Sequence, residues 1–265
     1  VQPVVELLAC RLAAGQKMAL GVWSSLAAVL VATATAAADT GADALEGQKL
    51  YDGLYKIGYH QDLRLSHARS IIAEQIVPMK EEIESILDVG CSHGLAVQSL
   101  WRAGIYSNGV DISNVAVGMA NQNRTEGRKC QYEPCFQQAD AARLPFADKA
   151  FDGILSTDVL EHVQPEEVHA TCAELARVAK KYLFLKIAYK KEFVVSHLRT
   201  LEKQGLRVRG GALHATIMGP TAWIAEFWKV GFRVHGIGRD DAIIFIRTSC
   251  TTDRTSVPDG TCSTA

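Results

Sequence analysis

The sequence predicts an α/β fold: a doubly wound, mainly parallel sheet of seven strands with an antiparallel last strand and an N-terminal helical cap. Two observations carry this prediction. Short apolar runs alternate with helical stretches long enough for crossover connections, which is typical of a parallel sheet covered on both faces. The last two apolar runs are joined only by Ile237 to Asp241, which is too short for a crossover and therefore predicts a hairpin.

Each element follows from its apolar pattern. The predicted strands are Ile86 to Val89, Gly109 to Ile112, Cys135 to Gln138, Gly153 to Ser156, Tyr182 to Ile187, Phe232 to Gly236 and Ala242 to Ile246. The predicted helices between them are Leu95 to Arg102, Asn114 to Arg124, Glu166 to Val178 and Thr221 to Val230. We therefore expect one folded domain over residues 48–247.

Two further helical stretches, Lys49 to Tyr59 and Leu63 to Ile76, precede Pro78 and predict the cap. Tyr51 and Tyr55 are four residues apart and share a helical face, so they pack in the core or form a lid over a ligand. Residues 248–265 are rich in Ser and Thr and lack apolar periodicity, which indicates a disordered tail.

Residues 1–47 are interpreted as a leader, a targeting segment or a disordered segment. The run from Ala19 to Ala38 contains no charged residue and ends in small residues, which resembles a signal peptide or a signal anchor. A transit peptide is an alternative, because no acidic residue lies between Glu6 and Asp39. An ordinary Ala-rich helix is another. The sequence therefore leaves the cellular location of the protein open. The secretory pathway or a membrane is one prediction, and an organelle or the cytoplasm is the alternative.

The composition limits the class of partner. The chain has 265 residues and a formal net charge of -1, so it has no long-range attraction for a nucleic-acid backbone, and a small or neutral acceptor fits better. The seven cysteines do not form a dense even framework, and most are expected to be free thiols. The sequence does not decide whether a local disulfide joins Cys130 to Cys135 or Cys250 to Cys262. No Cys/His group has zinc-ligand spacing, so no metal is predicted.

A candidate cofactor turn follows the first predicted strand. Ser85 to Gly90 is an apolar run that ends in Asp88 and a glycine, and Gly94 follows four residues later. Glycine allows the backbone to come close to a bound nucleotide at the carboxyl end of such a strand, and the next helix directs its first amides toward the same place. An ordinary strand-to-helix turn is the alternative.

Further acids follow the next two strands. Asp111 lies about 20 residues past the glycine turn, the spacing at which this kind of sheet presents a carboxylate to ribose hydroxyls. Asp140 follows the third strand and is placed to accept a hydrogen bond from an adenine amino group. A dinucleotide fingerprint requires a third glycine, whereas Val97 stands where it would pack. This pattern disfavours NAD.

Several motifs in this order resemble one family. They are Ile86-Leu87-Asp88-Val89-Gly90-Cys91, Gly109-Val110-Asp111-Ile112-Ser113, Ala139-Asp140-Ala141, Leu144-Pro145-Phe146, Phe151-Asp152-Gly153-Ile154 and Ser156-Thr157-Asp158-Val159-Leu160-Glu161-His162-Val163. Together they resemble class I S-adenosylmethionine-dependent methyltransferases of the small-molecule type, whose fold is Rossmann-like. The quinone- and sterol-modifying enzymes are members of this family.

The resemblance implies S-adenosylmethionine as the cofactor and assigns residues to it. Asp88 and Gly90 would line the methionine moiety, and Asp111 would bind the ribose. Thr157 and Asp158 would lie near the transferred methyl. The complete implied set is Asp88, Gly90, Cys91, Gly94, Asp111, Ile112, Asp140, Ala141, Thr157 and Asp158. The family usually has a glycine where this chain has Ser92, which puts the cofactor affinity in doubt.

The acceptor is predicted to be a small molecule, a lipid or a sugar, with oxygen favoured because histidines flank the site. A hydroxyl acceptor benefits from a general base, and histidine suits neutral pH. His162 and His214 are the candidate catalytic residues, and structural roles are the alternative for each. An NAD-linked oxidoreductase on the same fold and a catalytically silent binding module are the competing functions.

Overall fold

A computed structural model describes residues 45–59, 66–123, 127–190, 200–203, 205–206, 212–238 and 242–248. The chain divides into two compact units, Val1–Glu46 and Gly47–Ala265, and only residues 45 and 46 of the first unit are described. The predicted targeting segment at 19–38 and residues 249–265 of the predicted tail therefore lie outside the described residues. Thr248, the first residue of the predicted tail, is instead buried, and its amide donates to the carbonyl of Gly231.

The described residues form one sheet of seven strands. The strands are β1 Ser85–Val89, β2 Tyr106–Asp111, β3 Phe136–Gln138, β4 Phe151–Thr157, β5 Ala179–Lys186, β6 Phe232–Ile237 and β7 Ile243–Arg247. Their order is β3-β2-β1-β4-β5-β7-β6. Strands β1 to β5 pair in parallel, and β7 is antiparallel to both β5 and β6. The predicted α/β fold with an antiparallel last strand is thus confirmed.

The helices are named here in chain order. They are α1 over residues 45–56, α2 Ser66–Ile71, α3 Leu95–Arg102, α4 Asn114–Gln122, α5 Val168–Val178 and α6 Pro220–Lys229. Both faces of the sheet are covered, because one apolar cluster joins β4 and β5 to α5 and α6, and a second joins the opposite face to α2 and α3. This layering explains why all five residues of β1 are buried.

The cap differs in its bounds from the prediction. Helix α1 begins at residue 45, four residues before the predicted start, and α2 is a short helix that continues as a wider helical turn over Ile72–Ile76 and a 3₁₀ turn over Val77–Met79. Pro78 lies in this last turn. Its missing amide and fixed φ end the regular helix there, which apolar periodicity alone does not locate.

One of the two local disulfides that the sequence left open is formed. Cys130 and Cys135 form a disulfide, with their Cα atoms 5.3 Å apart. The turn-rich segment between them brings the two ends within bridging distance, so these cysteines are not free thiols. Cys91 and Cys172 are free and buried, as expected, and the pair Cys250 and Cys262 lies outside the described residues. Among the helices that the structure describes, none combines the length and apolar character needed to cross a membrane.

Candidate functional site

The glycine turn after β1 is set by close packing. Gly90 has φ +79°, and a Cβ atom there would lie 2.2 Å from Cγ2 of Val159, the second residue after β4. Gly94 has φ +85°, and its Cβ would lie 2.7 Å from Cζ of Phe136. Both positions therefore require glycine for conformation and for space. The turn lies at the carboxyl end of the sheet, pressed against the residues that follow β4.

The first two predicted acids meet at this turn. Asp88 is the next-to-last residue of β1 and is 3% exposed, and Asp111 is the last residue of β2 and is 7% exposed. Burial, and to a smaller extent the charge of Asp111, raises the pKa of Asp88 to about 7. Burial also raises the pKa of Asp111 to about 6, against the effect of the backbone amides of Ser113 and Ser92. The influence of Asp111 on the pKa of Asp88 agrees with the prediction that these carboxylates share one crevice.

Asp111 holds the turn through backbone hydrogen bonds. Its Oδ2 accepts from the amide of Ser92 at 2.9 Å, and its Oδ1 accepts from the amide of Ser113 at 2.9 Å. Ser92 itself has φ +52°, a left-handed conformation that explains why the family prefers glycine there. Each carboxylate oxygen retains a lone pair after these bonds, so Asp111 can still accept from the hydroxyls of a ribose.

The charge of the crevice fits a cationic cofactor. No hydrogen bond joins the Asp88 carboxyl to another residue in the described part of the chain, although a buried carboxylate is costly without a partner. An ammonium or a sulfonium group would neutralise it. Two buried acids would repel the pyrophosphate of a dinucleotide instead. The residues present therefore fit S-adenosylmethionine better than NAD.

The other predicted cofactor residues lie around this centre. Asp140 is half-buried just after β3, where its Oδ1 accepts from the amide of Ala142. Ala141 packs against the main core, and Ile112 lies half-buried directly after Asp111. The side chain of Cys91 is buried among apolar residues, which leaves only its backbone for a ligand. Their contacts with the cofactor stay predictions.

Helix α1 closes the side of the crevice above β2. Tyr55 is 4% exposed, hydrogen-bonds Ser92 and lies close enough to Asp111 that burial and this carboxylate raise its pKa. Asp52 accepts from Oγ of Ser113 at 2.6 Å and from the amide of Val115 at 3.1 Å. Asp52 thus adds a second cap to α4, whose first cap is Ser113.

A second group of polar residues follows β4, where Thr157 is the last strand residue. Asp158 has φ +55° and donates its backbone amide to the carbonyl of Lys186. Its carboxylate Oδ2 lies 2.9 Å from Nδ1 of His67 on α2. Sequence reasoning missed His67, because 91 residues separate it from Asp158 and no local motif marks it.

The two predicted catalytic histidines contact each other. The rings of His162 and His214 are edge to face with centroids 4.8 Å apart, and Tyr51 on α1 lies 5.9 Å from the ring of His162. Nδ1 of His162 is 3.0 Å from the carbonyl oxygen of Leu213. Since a carbonyl only accepts, Nδ1 carries the proton. Burial, followed by the charge of His214, lowers the pKa of His162 to about 4.

Glu161 lies beneath these histidines and is fully buried. Its Oε1 accepts from the amide of Ala188, whereas its Oε2 has no partner in the described structure. Burial raises the pKa of Glu161 to about 8. Glu161, His162 and His214 place three potential ligand atoms within 4.8 Å of one another, a grouping that the spacing of Cys and His in the sequence does not reveal.

The comparisons with known proteins agree with this geometry. Residues 87–184 match the family described as "Methyltransferase domain". A magnesium protoporphyrin IX methyltransferase from Synechocystis PCC 6803, solved with bound SAH, is 25% identical, with a TM-score of 0.53 over 72% of this chain and 84% of that chain. Residues 87–184 are thus similar to a methyltransferase domain. S-adenosylmethionine is the cofactor of this domain type, and the NAD-linked alternative finds no support.

Curated relatives match part of this chain. A ubiquinone biosynthesis O-methyltransferase from Burkholderia orbicola (strain MC0-3) is 34% identical over 93 residues, which is 34% of this chain and 39% of the relative. One from Aromatoleum aromaticum (strain DSM 19018 / LMG 30748 / EbN1) is 33% identical over 101 residues, which is 37% of this chain and 42% of the relative. The chain thus spans about two fifths of the length of the curated relatives that it matches.

Proposed function

We propose that this protein transfers a methyl group from S-adenosylmethionine to a hydroxyl oxygen of a small molecule. The observation that carries the proposal is the meeting of two buried carboxylates, Asp88 and Asp111, beside a glycine turn that packs against the residues after β4. Their charge suits a cofactor that carries a sulfonium and an ammonium group. The similarity to O-methyltransferases supports oxygen as the acceptor atom.

Each residue of the crevice has a separate task in this proposal. Asp111 would accept from the ribose hydroxyls, Asp88 would face the ammonium group of the methionine moiety, and Asp140 would face the adenine. The bound cofactor supplies an activated methyl group on sulfur. The protein therefore needs to align the acceptor with this methyl group and to keep water away, rather than to activate a leaving group.

We assign the acceptor to the side of the crevice formed by Tyr51, His162 and His214. The ring of His162 keeps its proton on Nδ1, and its low pKa keeps it neutral at physiological pH. Its Nε2 atom is then a hydrogen-bond acceptor for a substrate hydroxyl. The aromatic edge of Tyr51 suits an acceptor with an aromatic ring.

The test separates cofactor binding from transfer. Calorimetric titration with S-adenosylmethionine, S-adenosylhomocysteine and NADH should give binding of the first two only. Transfer of a labelled methyl group should then be measured with phenols, catechols, aliphatic alcohols, thiols and amines. We expect transfer to oxygen acceptors. Binding of NADH alone, or transfer confined to thiols or amines, would contradict the proposal.

A further inference from the structure

We propose that His67, held by Asp158, is the general base that removes the proton from the acceptor hydroxyl. This inference rests on the proposed function, because a general base is useful only for an acceptor that must lose a proton. His67 belongs to the cap, outside the segment that matches the methyltransferase family. His67 lies 91 residues from Asp158 in the sequence, and the fold brings the two side chains into contact.

The hydrogen bond between the two side chains fixes the tautomer of His67. Nδ1 of His67 and Oδ2 of Asp158 are 2.9 Å apart. A carboxylate only accepts, so Nδ1 carries the proton and the lone pair of the neutral ring lies on Nε2. When Nε2 takes a second proton, the adjacent carboxylate stabilises the positive ring. This is the arrangement by which an acid orients a catalytic histidine.

The pair lies at the correct edge of the sheet. Asp158 immediately precedes Val159, whose side chain packs against Gly90 in the cofactor turn. The amide of Asp158 is bound to the carbonyl of Lys186, which fixes the end of β4. On the other side, α2 is anchored by Ala68 and Ile71, which are buried in the core. Both partners are therefore held in place by the fold.

His67 and Asp158 remain accessible to a substrate. Their side chains are 29% and 37% exposed, respectively. No hydrogen bond to another described residue occupies Nε2 of His67. A half-exposed, oriented imidazole with its lone pair free can reach a hydroxyl in the adjacent crevice, whereas a fully buried one cannot.

The other histidines are less suited to this task. His162 is held by a carbonyl rather than by a carboxylate, and burial lowers its pKa to about 4, so it is a weak base. His169 also faces a carboxylate, that of Glu226 at 3.3 Å. However, this second pair lies on the exposed surface between α5 and α6, where the side chain of His169 is 64% exposed.

The proton and electron balance is simple. The acceptor proton moves to Nε2 of His67 while the oxygen forms its bond to the methyl carbon. The bond between carbon and sulfur breaks, and its electron pair stays on sulfur, which becomes a neutral thioether. The protonated His67 later releases its proton to solvent. No additional oxidant, reductant or co-reactant is required.

The first test compares two matched variants, His67→Asn and His169→Asn, with catechol and 3,4-dihydroxybenzoate as acceptor probes. Asparagine can still donate to the carboxylate but cannot take a proton. For His67→Asn we expect kcat to fall by about 100-fold or more, the usual contribution of a general base, with the affinity for S-adenosylhomocysteine within twofold of wild type. His169→Asn should retain wild-type kcat. A kcat for His67→Asn within threefold of wild type would overturn the assignment.

The second test separates catalysis from packing. In His67→Ala, added imidazole should restore part of the lost rate, which a purely structural role of the pair does not predict. Asp158→Asn should also lower kcat, because the carboxylate no longer orients the ring. Loss of rate together with loss of S-adenosylhomocysteine affinity, without rescue by imidazole, would overturn the inference. If wild type binds S-adenosylhomocysteine but methylates no oxygen acceptor, the proposed function fails, and the role of His67 fails with it.

Discussion

The proposed cofactor side and the proposed acceptor side of the crevice are built in different ways. The cofactor side comes mostly from one continuous stretch that contains β1, the glycine turn and β2. Asp88 and Asp111 belong to this stretch, and their buried carboxylates repel each other. The acceptor side is assembled from distant segments that carry His67, His162 and His214, and its histidines are oriented by carbonyl or carboxylate oxygens. This difference indicates that the negative charge of the two buried carboxylates determines which cofactor fits. On the acceptor side, the burial of the histidine rings and the position of their protons determine which hydrogen bonds they can make.

The largest effect is expected at the glycine turn. Gly90→Ala would place a Cβ atom 2.2 Å from Val159 at φ +79°, so overpacking and backbone strain should lower the free energy of unfolding by about 2 to 5 kcal/mol. Denaturant unfolding measures this change. The matched control is Gly118→Ala in α4, where no atom lies within 4 Å of the added Cβ and stability should rise slightly. Equal effects at both glycines would refute the packing argument.

Asp88→Asn tests the charge on the cofactor side. The folded pKa of about 7 lies above the ordinary value of 3.8, so the native state binds more protons between these values. The stability of the unliganded wild type should therefore fall as pH rises from about 4 to 7. The variant should lose the part of this dependence that comes from Asp88, whereas Asp111 and Glu161, whose pKa values are also raised, keep their part. It should be about 1 to 4 kcal/mol more stable than wild type at pH 8, and it should bind S-adenosylmethionine more weakly.

Unfolding curves at pH 4 and pH 8 measure the first change, and calorimetric titration measures the second. Asp148→Asn is the control, because Asp148 is 76% exposed. A variant of Asp88 that is destabilised at pH 8 would show that the buried charge is not costly, and it would remove the reason for a cationic cofactor.

Asp111→Ala should weaken cofactor binding by about 1 to 3 kcal/mol, the scale of hydrogen bonds to a charged group. The loss comprises the predicted ribose contacts and the support of the Ser92 amide. Titration with S-adenosylhomocysteine checks it, with Asp148→Ala as the control. An unchanged affinity would mean that the ribose lies elsewhere.

A smaller effect is expected on the acceptor side. His162→Ala removes a hydrogen-bond acceptor and a ring that contacts Tyr51 and His214, so kcat/KM for an oxygen acceptor should fall by about tenfold, on the scale of one hydrogen bond. The affinity for S-adenosylhomocysteine should stay within twofold. His235→Ala, on the exposed face of β6, should change neither quantity. A loss confined to cofactor affinity would reassign His162 to the other side of the crevice.

The sequence was sufficient for the parts that depend on local patterns. Alternating apolar runs predicted all seven strands, and the bounds of α3 match the prediction at both ends. The glycine turn and Asp111 could be found because they belong to one strand-turn-helix unit with a characteristic spacing. Strand ends differ by a few residues, as in β2, where the polar residues before Gly109 hide the start of the strand.

The remaining features depend on contacts between distant residues. Nothing in the sequence near His67 indicates its pairing with Asp158, and Asp52 shows no sign that it caps α4. The burial of Glu161 could not be predicted either, because it depends on contacts with the segment after β5 and with the segment around Thr216. The disulfide of Cys130 and Cys135 depends on a turn geometry that composition does not specify.

Helix α1 has a practical consequence for anyone who shortens this chain. The stretch that matches the methyltransferase family begins at residue 87, so trimming to that boundary would delete Asp52, Tyr55 and His67 together. The remaining fragment would retain the glycine turn and both buried acids but would expose them to water along one flank. A fragment whose limits are drawn from similarity alone would therefore lack α1 and α2, which line this side of the crevice, and a usable fragment has to include residues 45–86.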